Sequence, residues 1–141
     1  EQLSRLRALH GYVIVLDADS IAGEIPRLFA GRLPSLNLGT NDGTSCSQGI
    51  GDKFVQWARH SGYDYVCNDR FKGGYITRHY GRPDLGWHAM QLEINQDAYL
   101  AAAGETASRR QRDNARWISL QAQLQNLIAS LKLLRPQELS G

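Results

Sequence analysis

The spacing of apolar positions changes several times along this chain, and each change marks an element. Leu3, Leu6 and Leu9 recur at near-helical intervals among Gln2, Arg5 and Arg7, predicting an amphipathic opening helix that Gly11 stops. Tyr12-Val13-Ile14-Val15-Leu16 then runs unbroken and β-branched, the pattern of a strand buried on both faces. Ile50, Phe54, Trp57 and Ala58 return to helical spacing, on a helix that Ser47 can cap and Ser61-Gly62 closes, with Trp57 in the core. Residues 63–67 read as a short strand. From His88 to Ile94 the pattern alternates, with Met90, Leu92 and Ile94 on one face and Ala89, Gln91 and Glu93 on the other. Residues 108–134 give the longest helix, striped by Trp117, Leu120, Leu124, Leu127, Ile128, Leu131 and Leu134 and ended by Pro136.

Between these elements, residues 22–46 carry Gly23, Pro26, Gly31, Pro34, Gly39 and Gly43. They predict a long loop with a helical turn at 25–29 and a short strand at 36–38. Helices alternating with short apolar strands indicate an α/β fold, a mostly parallel or mixed sheet flanked by helices. One domain over residues 1–135 and a frayed tail at 136–141 are expected.

Composition narrows the class. A chain of 141 residues makes one domain, burying roughly two thirds of its unfolded surface. No apolar run approaches the ~20 residues of a membrane span, and no signal-peptide pattern opens the sequence, so a soluble cytoplasmic chain is expected. Sixteen basic against 14 acidic residues, a net charge of +2, is too balanced for nucleic acid or an anionic membrane. Cys46 and Cys67 have no metal-ligand spacing and read as reduced thiols.

Candidate chemistry concentrates in Asn-Asp-Arg-Phe-Lys-Gly-Gly-Tyr-Ile-Thr-Arg-His-Tyr-Gly, residues 68–81. Lys72 and Arg78 can bind anions, Gly73 and Gly74 allow close backbone approach, and Asn68 and Thr77 can hydrogen-bond at the same place. His79 reads equally well as structural. The plainer alternative is a basic turn leading into a solvated strand. Asp17, Asp19 and Ser20 fall just beyond the first strand, where open α/β sheets collect ligands; they either contact a metal or substrate or cap the turn.

Taken together, Asp17-Ala18-Asp19-Ser20-Ile21, Ile25-Pro26-Arg27-Leu28-Phe29, Leu33-Pro34, Asn37-Leu38-Gly39-Thr40, Ser45-Cys46, residues 68–81 and Gln91-Leu92-Glu93-Ile94 resemble the N-formylglutamate amidohydrolase (deformylase) family, in order, over residues 1–100. The resemblance implies a zinc-dependent hydrolase with a zinc-carboxypeptidase-like α/β fold, releasing formate and glutamate from N-formyl-L-glutamate in histidine degradation. It further implies Glu93 as acid/base and the segment 68–81 as the substrate-carboxylate side. Arg78 would bind bidentately there, with Lys72 as a steering charge. Asp19 stands where the family motif Asp-x-His-Ser has its zinc-binding histidine, with Asp17 as an orienting partner. His10, His60 and His88 have no ligand spacing with it. Family proteins are nearly twice this length, and the resemblance sets this chain against their C-terminal half. An incomplete zinc site and an open sheet edge follow as expectations, the edge to be covered by self-association or by an N-terminal half. Two other readings keep the fold: a zinc amidohydrolase for another N-acyl amino acid, and a non-catalytic module that binds a metabolite or partner.

Overall fold

A computed structural model describes residues 1–101, 110–134 and 136–139. Helix α1 (Gln2–His10) ends at Gly11, whose φ of 79° lets its N–H reach back to the Arg7 carbonyl. The chain then enters β1 (Val13–Ile21), and β2 (Leu36–Gly39), α2 (Gln48–His60), β3 (Tyr65–Cys67), α3 (Tyr75–Tyr80), β4 (Trp87–Asn95), α4 (Asn114–Lys132) and α5 (Pro136–Leu139) follow. The four strands form one mixed sheet in the order β1-β4-β2-β3, with β1 parallel to β4, β2 antiparallel to β4 and β3 parallel to β2.

This order corrects the reading of the first strand. β1 is an edge strand, half-buried over Ile14–Asp17 and exposed at Ala18 and Asp19. It also runs on to Ile21, so Asp17 and Asp19 lie within it rather than beyond its end. The strand buried on both faces is β4, despite its alternating sequence. Its even positions Met90, Leu92 and Ile94 join Leu36 and Leu38 of β2, Ile50, Phe54, Trp57 and Ala58 of α2, and Leu120 and Leu127 of α4 in the apolar core. Its odd positions face the other way: Ala89, Glu93 and Asn95 are buried there, and Trp87 and Gln91 half-buried.

Two helix ends differ from the sequence reading for identifiable reasons. Ser47 does not cap α2 with its side chain; its hydroxyl donates instead to the Glu138 carbonyl at 2.8 Å. That bond and the Lys53–Glu138 ion pair at 3.1 Å dock α5 on α2, so residues 136–139 form a packed helix rather than a frayed tail. The long C-terminal helix starts at Asn114, not 108, because the Asp113 carboxylate accepts the N–H groups of Ala115 and Arg116 at 3.0 and 3.1 Å. Residues 108 and 109 of the expected helix lie outside the described residues. Within the stripe, Ile128 is 47% exposed. Asp113→Ala is expected to lower unfolding free energy by about 1 kcal/mol, the ordinary cost of a lost N-cap, as read from urea denaturation.

The long loop contains the anticipated turn, with Leu28 and Phe29 N–H groups meeting the Ile25 carbonyl. Arg70 lies over the Phe29 ring at 4.8 Å and ties this loop to the segment that follows β3. No helix among the described residues is long and apolar enough to cross a membrane.

Candidate functional site

Parallel register fixes which side chains meet. Asp17 pairs with Gln91 and Asp19 with Glu93, while β2 places Gly39 beside Gln91 and Asn37 beside Glu93. Paired residues share a face, so three carboxylates and two amides, those of Gln91 and Asn37, gather on the side of the sheet away from α2 and α4. Glu93 is buried, only 6% exposed, and Gln91 Nε2 donates to its Oε2 at 3.1 Å. Burial pushes the Glu93 pKa above the usual carboxylate range, Asp19 and Asp17 add to the rise, and the Gln91 hydrogen bond opposes it. A carboxyl group so placed holds its proton to higher pH than an exposed carboxylate does, which suits a proton carrier. Asp19 is exposed, and its Oδ1 accepts the Ser20 N–H at 2.7 Å.

The glycine-bearing segment approaches this face across β2. A Cβ on Gly39 would sit 2.6 Å from the Gly73 nitrogen and 2.7 Å from the Lys72 carbonyl carbon, so only glycine permits the contact. Gly73 has a φ of 125° and packs over Thr77. Beyond Gly74 the chain forms α3, whereas the plainer sequence alternative had a strand; Tyr80 stacks on Trp87 with ring centroids 6.3 Å apart. Since Trp87, Gln91 and Glu93 share one face of β4, α3 covers its aromatic end and the glycine turn lies beside its acidic end.

Individual residues take distinct positions. Arg78 is exposed and donates from Nη1 to the Gly73 carbonyl at 2.7 Å, reaching back over the turn. Lys72 pairs with Asp42 at 3.0 Å, both half-exposed. Asn68 is fully engaged in the scaffold: its Oδ1 accepts from Thr40 N at 2.8 Å and Asp42 N at 3.3 Å, and its Nδ2 donates to Thr40 Oγ1 at 2.8 Å. Thr77 is wholly buried, and its hydroxyl has no hydrogen-bond partner among the described residues. His79 stacks on Tyr75 and meets Tyr80 edge-on. His88 lies on the opposite face, where burial lowers its pKa and its Nδ1 accepts the Ser47 N–H.

Sequence reasoning met Gln91, Gly39, Asn37 and Thr40 only as parts of the family motifs and gave none of them a role of its own. Gln91 carries a signal in hindsight: it stands two residues before Glu93 on the same strand face, the spacing that lets an amide steady a carboxylate. The others depend on cross-strand register, which no local pattern encodes.

The donor set bears on the implied metal. Zinc centres take imidazole nitrogen, thiolate and carboxylate in tetrahedral sets. Here the converging groups are carboxylates alone, and among the described residues no three His, Cys, Asp or Glu side chains are placed to hold a metal ion. These residues do not fit a zinc centre by themselves. Cys46 and Cys67 are free thiols away from the acid face, and burial pushes the Cys46 thiol up to about 11.

Comparison with known proteins bears on the same residues. Residues 1–100 match the family described as N-formylglutamate amidohydrolase. The chain is 43% identical over 130 residues to an N-formylglutamate deformylase of Pseudomonas aeruginosa, covering 92% of this chain and 49% of that protein. With an N-formylglutamate deformylase of Pseudomonas putida it shares 48% identity over 100 residues, 70% of this chain and 38% of the relative. The crystal structure of an N-formylglutamate amidohydrolase from Ralstonia eutropha JMP134 has the same fold, with a TM-score of 0.75 at 24% identity, over 92% of this chain and 46% of that one. The chain thus spans about half the length, or less, of the curated relatives it matches. A profile match over residues 1–100 and identities above two fifths establish that the chain belongs to the N-formylglutamate amidohydrolase family.

Proposed function

We propose that this chain serves the hydrolysis of N-formyl-L-glutamate to formate and L-glutamate, the closing step of histidine degradation, with Glu93 as the group that carries the proton. The observation supporting this most is the buried Glu93 carboxyl, steadied by Gln91 and facing Asp17 and Asp19, beside a glycine turn that carries Lys72 and over which Arg78 reaches back from α3. A general acid/base works best with a pKa near the operating pH, and burial moves Glu93 that way. Arg78 is the proposed partner of a substrate carboxylate. One of its five N–H donors is shown bonded to Gly73, leaving the guanidinium fork able to take an anion. Gly73 and Gly74 would let the substrate approach the backbone, and Lys72 would add positive charge. Asn68 and Thr77 would support that turn from beneath.

Zinc is implied by the family resemblance, but the carboxylates described here do not fit it alone, and no step is routed through it. A shortage of donors gives weight to a second reading, in which this chain binds the substrate without cleaving it. Formate release from N-formyl-L-glutamate, compared with other N-acyl amino acids, tests the first reading; substrate binding without release supports the second. Failure to bind or cleave any of them would remove both. Arg78→Ala is expected to weaken N-formyl-L-glutamate binding by ~1.5–3 kcal/mol, the loss of a charge-assisted hydrogen bond. Calorimetric titration reads this directly, and an unchanged affinity takes Arg78 out of the site.

A further inference from the structure

We propose that Cys46 and Cys67 together form a binding site for a soft, thiophilic metal ion that is satisfied by two sulfur ligands, of the Cu(I) type. The site lies across the sheet from the acid face and stands independently of the catalytic reading.

Sequence spacing hides this pair, because the two cysteines come from segments on either side of α2. Cys67 ends β3 and pairs with Leu38 of β2 in parallel register. Paired residues share a face, so Cys67 projects with Leu38 toward α2 and packs against the core cluster that contains Cys46. Cys46 arrives from the other direction, out of the turn that follows β2. In that turn the Ser45 N–H meets the Thr40 carbonyl at 3.1 Å, while the Thr40 side chain hydrogen-bonds the Cys67 thiol. Thr40 thus joins the two segments that carry the cysteines.

Both thiols reach one cavity. It measures about 350 Å³ and is lined by Cys46 and Cys67 together with Thr40, Gln48, Gly51 and Asp52. The two sulfurs are close enough for charge on Cys67 to be felt at Cys46. Gly51 keeps the helix surface bare beside Cys46: even an added Cβ would stop 3.6 Å from its Sγ.

The start of α2 supplies complementary charge. Ser47 makes no side-chain cap bond there, because its hydroxyl is spent on the Glu138 carbonyl, so no side chain of the N-cap satisfies the first N–H groups of this 13-residue helix. Gln48 and Gly51 place that first turn on the cavity wall. The positive end of a helix favours thiolates and the anionic complex they make with a monovalent ion. Burial opposes ionisation: it raises the Cys46 pKa to about 11, with Cys67 and Asp52 adding to the rise, and it raises Cys67 as well. Both thiols therefore hold their protons near neutrality. Only a ligand with high intrinsic affinity for sulfur displaces them, since a coordinated thiol is deprotonated outright.

The donor count selects the ion. Among the described residues no group of three His, Cys, Asp or Glu side chains is placed to hold a metal, so the two thiols must act as a pair. Zinc asks for a fuller ligand set, and hard cations ask for oxygen. Two thiolates alone suit a soft ion.

The test titrates Cu(I) into the reduced chain without oxygen, against a chromophoric Cu(I) chelator. One ion per chain is expected, with sulfur-to-copper charge-transfer absorption in the near ultraviolet. One equivalent should also shield both thiols from alkylation, a measurement that needs no variant. Cys46→Ser and Cys67→Ser should each weaken binding by about a hundredfold or more, because the second thiol meets an ion held by the first at high effective concentration. Cys67 is half-buried at the end of a strand, so its serine variant leaves the packed core in place, and an unchanged circular dichroism spectrum checks this. No binding by the parent, protection of one thiol alone, a serine variant that binds as tightly as the parent, or an ion held between two chains in sedimentation would overturn the proposal.

Discussion

Asn68→Ala is expected to destabilise the protein by about 3 kcal/mol, because one side chain clamps two loops in a backbone conformation that alanine disfavours. Asn68 follows β3 with a φ of 54°, in the left-handed region where asparagine is better tolerated than alanine. Its amide closes three contacts with Thr40 and Asp42, while its own N–H bonds the Leu38 carbonyl at 2.8 Å. Next to this clamp, the Asn41 N–H meets the Lys72 carbonyl at 2.5 Å and Lys72 pairs with Asp42. Truncation leaves the Thr40 N–H, part-buried, without its acceptor, which costs more than the bond alone returns. Two variants separate the contributions. Asn68→Asp keeps the acceptor and should lose only about 1 kcal/mol, whereas Asn68→Gly relieves the φ preference but not the lost bonds. Urea midpoints at constant slope read all three. An alanine variant within 0.5 kcal/mol of the parent would show that the clamp carries no net stability. The same variant should also reduce N-formyl-L-glutamate binding, since the Lys72-Gly73-Gly74 turn hangs from these bonds.

How much of this was legible in the sequence depends on the range of the cause. Elements set by local spacing read correctly: Gly11 stops α1, and Ile50, Phe54, Trp57 and Ala58 all point into the core from α2. The misreadings came from non-local causes. An apolar run such as Val13–Leu16 looks the same whether the strand is central or at an edge, because only the partners decide, and those lie more than 70 residues away in β4. β4 presents the reverse case: Glu93 is buried between β1 and β2 although its alternation with apolar residues reads as a solvent-facing position, a fact that the pattern of Gln91 and Glu93 alone cannot convey. Asn68 and Thr77 were legible as polar residues of a segment expected to bind an anion. That Asn68 spends its amide on Thr40, and that Thr77 lies beneath Gly73, required the crossing of two loops. Family resemblance supplied the expectation that this segment works with Glu93, which spacing could not. Register places Gly39 beside Gln91, and Gly39 is where the Gly73 turn approaches the sheet.

Glu93→Gln is expected to divide stability from activity. Under the proposed chemistry, loss of the proton carrier should reduce formate release by ~10²–10⁴-fold, the ordinary contribution of a positioned acid/base. Its effect on stability should have the opposite sign at neutral pH. In the folded chain Glu93 has its pKa raised, first by burial and then by Asp19 and Asp17, so the native state holds the proton more tightly than the unfolded chain does. The stabilising contribution of Glu93 is therefore fully present below the unfolded carboxylate pKa and is lost as pH rises through the folded value. Above that value the parent carries a charge in a buried place, while glutamine carries none and can still accept from Gln91 Nε2. The variant should thus match the parent in acid, exceed it near neutrality, and show a flatter dependence of urea midpoint on pH over that interval. If it is less stable than the parent at neutral pH, the carboxylate has a compensating partner and the basis for its raised pKa fails. If it releases formate at the parental rate, Glu93 is not the proton carrier, whatever its stability.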